Sequence, residues 1–225
     1  MAKKKKRNRK PAPKKQVRLK PENFVKKRAR QYPLGKCYMN SDWQESGMAT
    51  VIVTRKMRNG DLIVGSFVVD VFCLGVKDTF FRINLPQFMF DEEFLPLFTD
   101  KMQLDMEVVE STLAFNVIYG AVEYAEDLGF NPHKDFRITE YILDDVEGIE
   151  YVDIEFGKDG KPFYISGPHD DIEKIAKTLD KSVGKDNYEI TVNMGGGDFL
   201  DFDEGGDFED DEDDEEEYDD YEEVK

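Results

Sequence analysis

The sequence predicts an α+β fold: an antiparallel sheet with a buried long helix and a C-terminal ββαβ unit, flanked by disordered charged tails. Three observations predict it. An Asn59-Gly60 turn signal lies between two β-branched runs, the apolar period changes to helical from Asp91, and charge is segregated toward both ends of the chain.

Residues 1–30 hold fifteen Lys and Arg against a single acid, Glu22. With few apolar residues, and with Pro11, Pro13 and Pro21 along it, this basic arm is expected to stay disordered. Order is expected to begin near Tyr32, with "YPLGKCYMN" as an entering strand. In "MATVIVTRKMRNGDLIVGSFVVDVFC", a two-residue turn flanked by Arg58 and Asp61 would set Val53 opposite Ser66, Val51 opposite Val68 and Ala49 opposite Asp70. Ile52 and Phe67 would then lie on the other side of the sheet. Both faces are apolar, so both should be covered. "TFFRINLP" reads as a further strand ended by Pro86, and "DEEFLPLF" as a short helical segment broken by Pro96.

From Met106 the residues Val109, Leu113, Val117, Ala121, Tyr124 and Leu128 recur at helical spacing. Val108, Phe115, Ile118 and Val122 add a second stripe, so a long and mostly buried helix is expected. Gly129 suits its end, and Gly120 in its middle implies a close neighbour. "KDFRITEYIL" reads as a second helix. Then Val152, Ile154 and Phe156 alternate with acids as a half-solvated strand, "GKDGKP" turns the chain, and "FYIS" returns it. Ile172, Ile175, Ala176 and Leu179 form the buried face of a helix, and "YEITVNM" closes the domain. The expected organisation is a basic arm at 1–30, one α+β domain at 31–194 and a disordered acidic tail at 195–225.

The net charge of −18 conceals this division. Residues 198–225 carry eighteen Asp and Glu against Lys225 alone, and the middle, 31–197, carries fifteen basic and thirty acidic residues. Two cysteines, Cys37 and Cys73, make no disulfide framework and point to reduced thiols. The basic start is followed by "PAPKKQVRLKPENF" and not by an apolar signal core, and no apolar run is long enough to cross a bilayer. A cytoplasmic protein without a membrane partner is expected.

The stretches "VDVFCLGVKDTFF", "YGAVEYAEDLGFNPHKDF" and "FGKDGKPFYISGPHDD" together resemble a family of bacterial proteins with no assigned activity. The resemblance covers roughly residues 30 to 175. It implies a single bacterial, cytosolic domain to which the charged tails are an addition, and it transfers no catalytic residue.

Candidate chemistry is sparse. Cys37, Cys73, His133 and His169 form a possible zinc set only by count, because every one is at least thirty residues from the next and no local pair is preorganised. No metal or cofactor is expected. A Cys73–His133 nucleophilic pair, helped by Lys77, is one enzymatic reading. Another is a carboxylate site from Asp70 and Glu123, with Glu126, Asp127 and Asp135 holding a hard cation. The plain alternatives are a packed thiol and carboxylates paired with Lys77, Arg82, Lys134 or Arg137.

The arm is the stronger signal. Lys3, Lys4, Lys5, Lys6, Arg7, Arg9, Lys10, Lys14, Lys15, Arg18, Lys20, Lys26, Lys27, Arg28 and Arg30 form a polycation suited to phosphate contact, with little beyond Phe24 to stack on bases. A nucleic-acid partner, structured RNA or the ribosome, is expected. The acidic tail interleaves Phe199, Leu200, Phe202, Phe208, Tyr218 and Tyr221 with carboxylates, which suits a basic protein partner or competition for the chain's own arm.

Overall fold

The computed structural model describes residues 19–167 and 170–192. Its centre is a five-stranded antiparallel sheet in the order β4-β3-β2-β1-β5. The strands are β1 (Leu34–Asn40), β2 (Met48–Lys56), β3 (Leu62–Asp70), β4 (Gly75–Leu85) and β5 (Met106–Val109). Consecutive β-branched residues in β2 point alternately to opposite faces, and both faces are covered. Val51 and Val53 pack with Phe67 and Val69 beneath helix α4 (Ser111–Asp127), through its Ala114, Val117, Ile118 and Ala121. On the reverse face, Tyr38, Ile52, Leu62 and Val64 meet Phe90, Phe94 and Phe98. Those phenylalanines recur every four residues in a helical stretch that starts as α3 (Gln87–Met89) and widens into π-type turns over Phe90–Phe94 and Leu97–Lys101. Their rings lie 5.6 and 5.5 Å apart, centroid to centroid.

The hairpin register differs by one residue from the expected one. Val53 pairs with Gly65, Val51 with Phe67, Ala49 with Val69 and Ile52 with Ser66. Gly60 donates to Met57 O and Met57 donates to Asp61 O, so the loop holds three residues, 58–60. Gly60 takes φ +94°, the left-handed position that turns a type I turn into a bulged three-residue hairpin. Gly is needed there, and the same dipeptide serves two loop lengths.

The long helix starts at Ser111 and not at Met106. Residues 106–109 form an edge strand that pairs antiparallel with β1, Cys37 opposite Val109 and Asn40 opposite Met106. Met106 packs on the phenylalanine side and Val109 on the α4 side, an opposition that a helix would not produce. The expected second helix is short, α5 (Phe136–Thr139), followed by a 3₁₀ turn at Glu140–Ile142.

At the C-terminal end, Val152, Ile154 and Phe156 alternate inward as expected, but the segment pairs with no strand among the described residues. It lies as an extended strap on α4, where the Asn116 amide donates to Glu150 O and accepts from Val152 N. The unit that follows is therefore βαβ, with parallel strands β6 (Phe163–Ile165) and β7 (Glu189–Thr191) joined by α6 (Ile172–Ser182).

The strap accounts for Gly120. A Cβ there would stand 2.5 Å from the Phe156 ring, which also stacks on Tyr124 at 5.9 Å. Ala would gain about 1 kcal/mol of helix propensity, whereas forcing a pinned ring aside costs about 1–3 kcal/mol. Gly120→Ala is expected to lower the urea midpoint, with a net loss of about 1 kcal/mol.

The folded part begins earlier than Tyr32. Helix α1 (Pro21–Arg28) starts on a proline in its first turn and runs into a 3₁₀ turn, Ala29–Gln31. Val25 and Ala29 are fully buried, and Phe24 stacks on Tyr32 at 6.1 Å. The last third of the expected arm is thus a helix docked on the domain. Residues 1–18 and the acidic tail lie outside the described residues.

Candidate functional site

The stretch "DVFCLGVKD" forms the tip of the β3–β4 hairpin. Asp70, 5% exposed, accepts from the backbone N–H groups of Phe72 and Cys73, both at 2.9 Å, and so folds the turn back on itself. It stands opposite Met48 and Gly75, not Ala49. Gly75 takes φ +69°, and a Cβ there would lie 2.8 Å from both Ala121 O and the Ala125 methyl.

Burial pushes the Asp70 carboxyl up to about 6, against the pull of Lys77 and the turn's N–H donors. A folded-state value above the unfolded one means that the proton binds the folded chain more tightly. Stability from this group is full below the unfolded pKa, about 4, and is lost as pH rises through about 6. Asp70→Asn keeps an acceptor for the turn and removes the titration. Urea melts are expected to favour wild type over this variant by about 1 kcal/mol more at pH 5 than at pH 7.

The structure does not assemble the cysteine–histidine pair. Cys73 is fully buried against Leu128, Tyr164 and Leu179, and burial, with Asp70 beside it, drives its thiol far above the ordinary range. His133, in the loop between α4 and α5, lies against β4: its backbone N–H donates to Val76 O, and its Nδ1 stands 3.9 Å from Asp78 Oδ1 and 4.0 Å from Asp135 Oδ2. No hydrogen bond joins it to Cys73. Cys37 is buried in β1, where burial pushes its thiol up to about 12. Glu123, Glu126 and Asp127 are exposed along the end of α4. No group of three or more His, Cys, Asp or Glu able to hold a metal occurs among the described residues, and His169 lies outside them.

The stretches 69–81, 119–136 and 156–171 nevertheless meet at this hairpin tip. Gly157 N–H donates to Val71 O at 3.0 Å and Phe163 N–H to Phe72 O at 3.2 Å. Lys77 Nζ reaches Asp170 Oδ2 at 3.3 Å, and the same oxygen accepts from Tyr164 Oη at 2.8 Å and Gly167 N–H at 2.9 Å. Burial opposes ionisation of Asp170, but the Gly167 N–H, Lys77 and Tyr164 outweigh it and hold its carboxyl below the usual range. Burial and the bond to Asp170 push the Tyr164 phenol well up. These donors and acceptors satisfy one another. The arrangement fastens the C-terminal unit to the sheet and presents no activated nucleophile. An open crevice of about 290 Å³ beside it is lined by Trp43, Phe72, Glu155 and Lys158, among others.

The cationic residues behave differently. Lys20, Lys26, Lys27 and Arg28 are exposed on or next to α1, and none forms an ion pair or a side-chain hydrogen bond among the described residues. Arg30 departs from this set. Its guanidinium donates to Leu143 O at 2.9 Å, to Glu140 O at 3.3 Å and to Asp145 Oδ2 at 2.9 Å, which ties α1 to the chain beyond α5. Within the fold its charge is engaged by these acceptors, which sets it apart from the other cations. Lys3 to Arg18 lie outside the described residues.

No helix among the described residues is long and apolar enough to cross a membrane. No protein-family model matches this chain, and neither the curated proteins nor the solved structures contain a match to it.

Proposed function

We propose that the chain is an RNA- or ribosome-associated binding protein whose basic N-terminal segment grips phosphate. One observation carries the reading: ten cations in residues 1–18 run into a docked helix that, with Lys20 just before it, presents four further exposed cations with no ion-pair partner among the described residues. Such density favours strong, salt-sensitive and sequence-tolerant binding through release of counterions. The domain would supply partner choice and the segment affinity. The second reading, an enzyme built on Cys73, His133, Asp70 or Glu123, is favoured by no contact among the described residues.

The test is anisotropy of a labelled RNA hairpin, with co-sedimentation on purified ribosomes, for the full chain and for a chain lacking residues 1–18. Removal is expected to weaken binding at least about tenfold at low salt. Equal affinity of the two chains would overturn the reading.

A further inference from the structure

We infer that the outer face of α1 is the docking surface for the chain's own acidic tail, residues 198–225, which occupies it as a phosphate mimic when no nucleic acid is bound. The regulatory part of this inference rests on the proposed RNA reading; the docking itself does not. The charge on the folded surface is unevenly paired. Thirty acidic residues lie within 31–197, yet none of those described pairs with Lys20, Lys26, Lys27 or Arg28. Glu22 is the one acid between residues 19 and 31.

Helix α6 offers the contrast: Lys174, Lys177 and Lys181 share it with Glu173, Asp180 and the capping Asp171, and Lys177 bonds Glu173 at 3.4 Å. Its charge is balanced internally and that of α1 is not. The cations of α1 are also held in place, because Val25 and Ala29 bury the opposite side and Arg30 fastens the exit. A docked helix presents its charges without the ordering cost of an arm.

The complementary polyanion is in the same chain, with eighteen acids against one lysine in 198–225. Reach does not limit it. Residues 193–225 follow β7, and that length of chain spans up to about 110 Å when extended. A domain of this size has a radius of gyration of about 15 Å, so every surface point lies within reach. Tethering sets a local concentration on the order of millimolar, enough for a weak electrostatic contact to be filled at low salt. Nucleic acid would displace the tail only where its phosphates are dense or continuous enough to engage both α1 and residues 1–18.

The experiment uses the full chain without RNA. Cys37 and Cys73 are buried, so a nitroxide placed through Glu212→Cys goes to the introduced thiol. The amide signals of α1 are expected to lose more than about half their intensity, to recover in roughly 300 mM NaCl, and to recover when Lys20, Lys26, Lys27 and Arg28 are changed to Gln. Undiminished α1 signals would overturn the inference, as would equal loss over α6, which is nearer the tail along the chain. Loss seen only when spin-labelled chain is mixed with isotope-labelled chain would put the tail of a second copy there and overturn the intramolecular form. For the regulatory part, deletion of 198–225 is expected to tighten hairpin-RNA binding about tenfold at roughly 100 mM salt, and unchanged affinity would overturn it. A chain that docks its tail but binds no RNA would sink the proposed function and leave the docking standing.

Discussion

Arg55→Met is expected to lower the unfolding free energy by about 3–5 kcal/mol, as breaking a buried charged network does. Arg55 sits in β2 with 2% of its surface exposed. Its guanidinium donates to Ile142 O at 2.6 Å, to Tyr32 O at 2.9 Å and to the Asp144 carboxylate. Three pieces of chain far apart in sequence are held by one side chain: the sheet, the exit of α1 and the segment after α5. Met fills most of the volume but leaves two carbonyls without a donor, at about 1–3 kcal/mol each.

The ion pair itself contributes the smaller share, because Asp144 is half exposed and regains water when it is abandoned. Asp144→Asn should therefore cost only about 1 kcal/mol. Denaturant melts of the two variants separate these contributions, and similar losses for both would contradict the account. Hydrogen exchange should further show α1 as the first element to open in Arg55→Met, since Tyr32 O is its nearest anchor to the sheet.

Arg55 also marks where the sequence stops being informative. It lies in "TVIVTRK", among β-branched residues whose alternation reads plainly as a strand buried on both faces, and the two covering layers follow from that. Periodicity is a local property, and the sheet, the hairpin and the buried helix are legible for that reason. The destination of a guanidinium is not local: its partners lie 23, 87 and 89 residues away.

The same distinction explains the elements whose structure departs from expectation. Met106 and Val109 satisfy a helical spacing and a strand equally well over four residues, and only pairing with β1 decides between them. Val152, Ile154 and Phe156 show strand alternation because α4 buries every second residue of an extended strap, with no ladder involved. Helix α1 is hidden by its own charge, since composition is dominated by lysine and arginine while Phe24, Val25 and Ala29 alone make the buried stripe. Asp70 stands out in the sequence as a buried carboxylate, but its role in closing the turn depends on N–H groups whose direction no side-chain pattern records. Arithmetic of residue types joins His133 to Cys73, and the fold sets one in the α4–α5 loop and the other in a buried cluster at the hairpin tip.

The division of the cations yields the second large effect. Neutralising Lys26, Lys27 and Arg28 together is expected to lower the slope of log affinity against log salt by about two to three, with roughly 0.7–0.9 for each phosphate no longer paired. Removing residues 1–18 should collapse most of the slope, because neutralising about six to ten phosphates corresponds to roughly 10³–10⁵-fold in affinity between about 50 and 200 mM salt. Arg30→Gln is the discriminating control. Composition groups Arg30 with the other fourteen cations, whereas the fold binds its guanidinium to Leu143 O, Glu140 O and Asp145. It should therefore leave the salt slope unchanged and instead lower stability, by about 1–3 kcal/mol through the carbonyls it abandons. If Arg30→Gln reduced the slope as much as Lys27→Gln, phosphate would have to compete with the domain for that side chain. α1 would then release from the domain on binding, not serve as a fixed platform. Unchanged slope and reduced stability would instead place the boundary between fold and binding segment inside the basic sequence, between the end of α1 and the 3₁₀ turn that follows it, where no change in composition marks it.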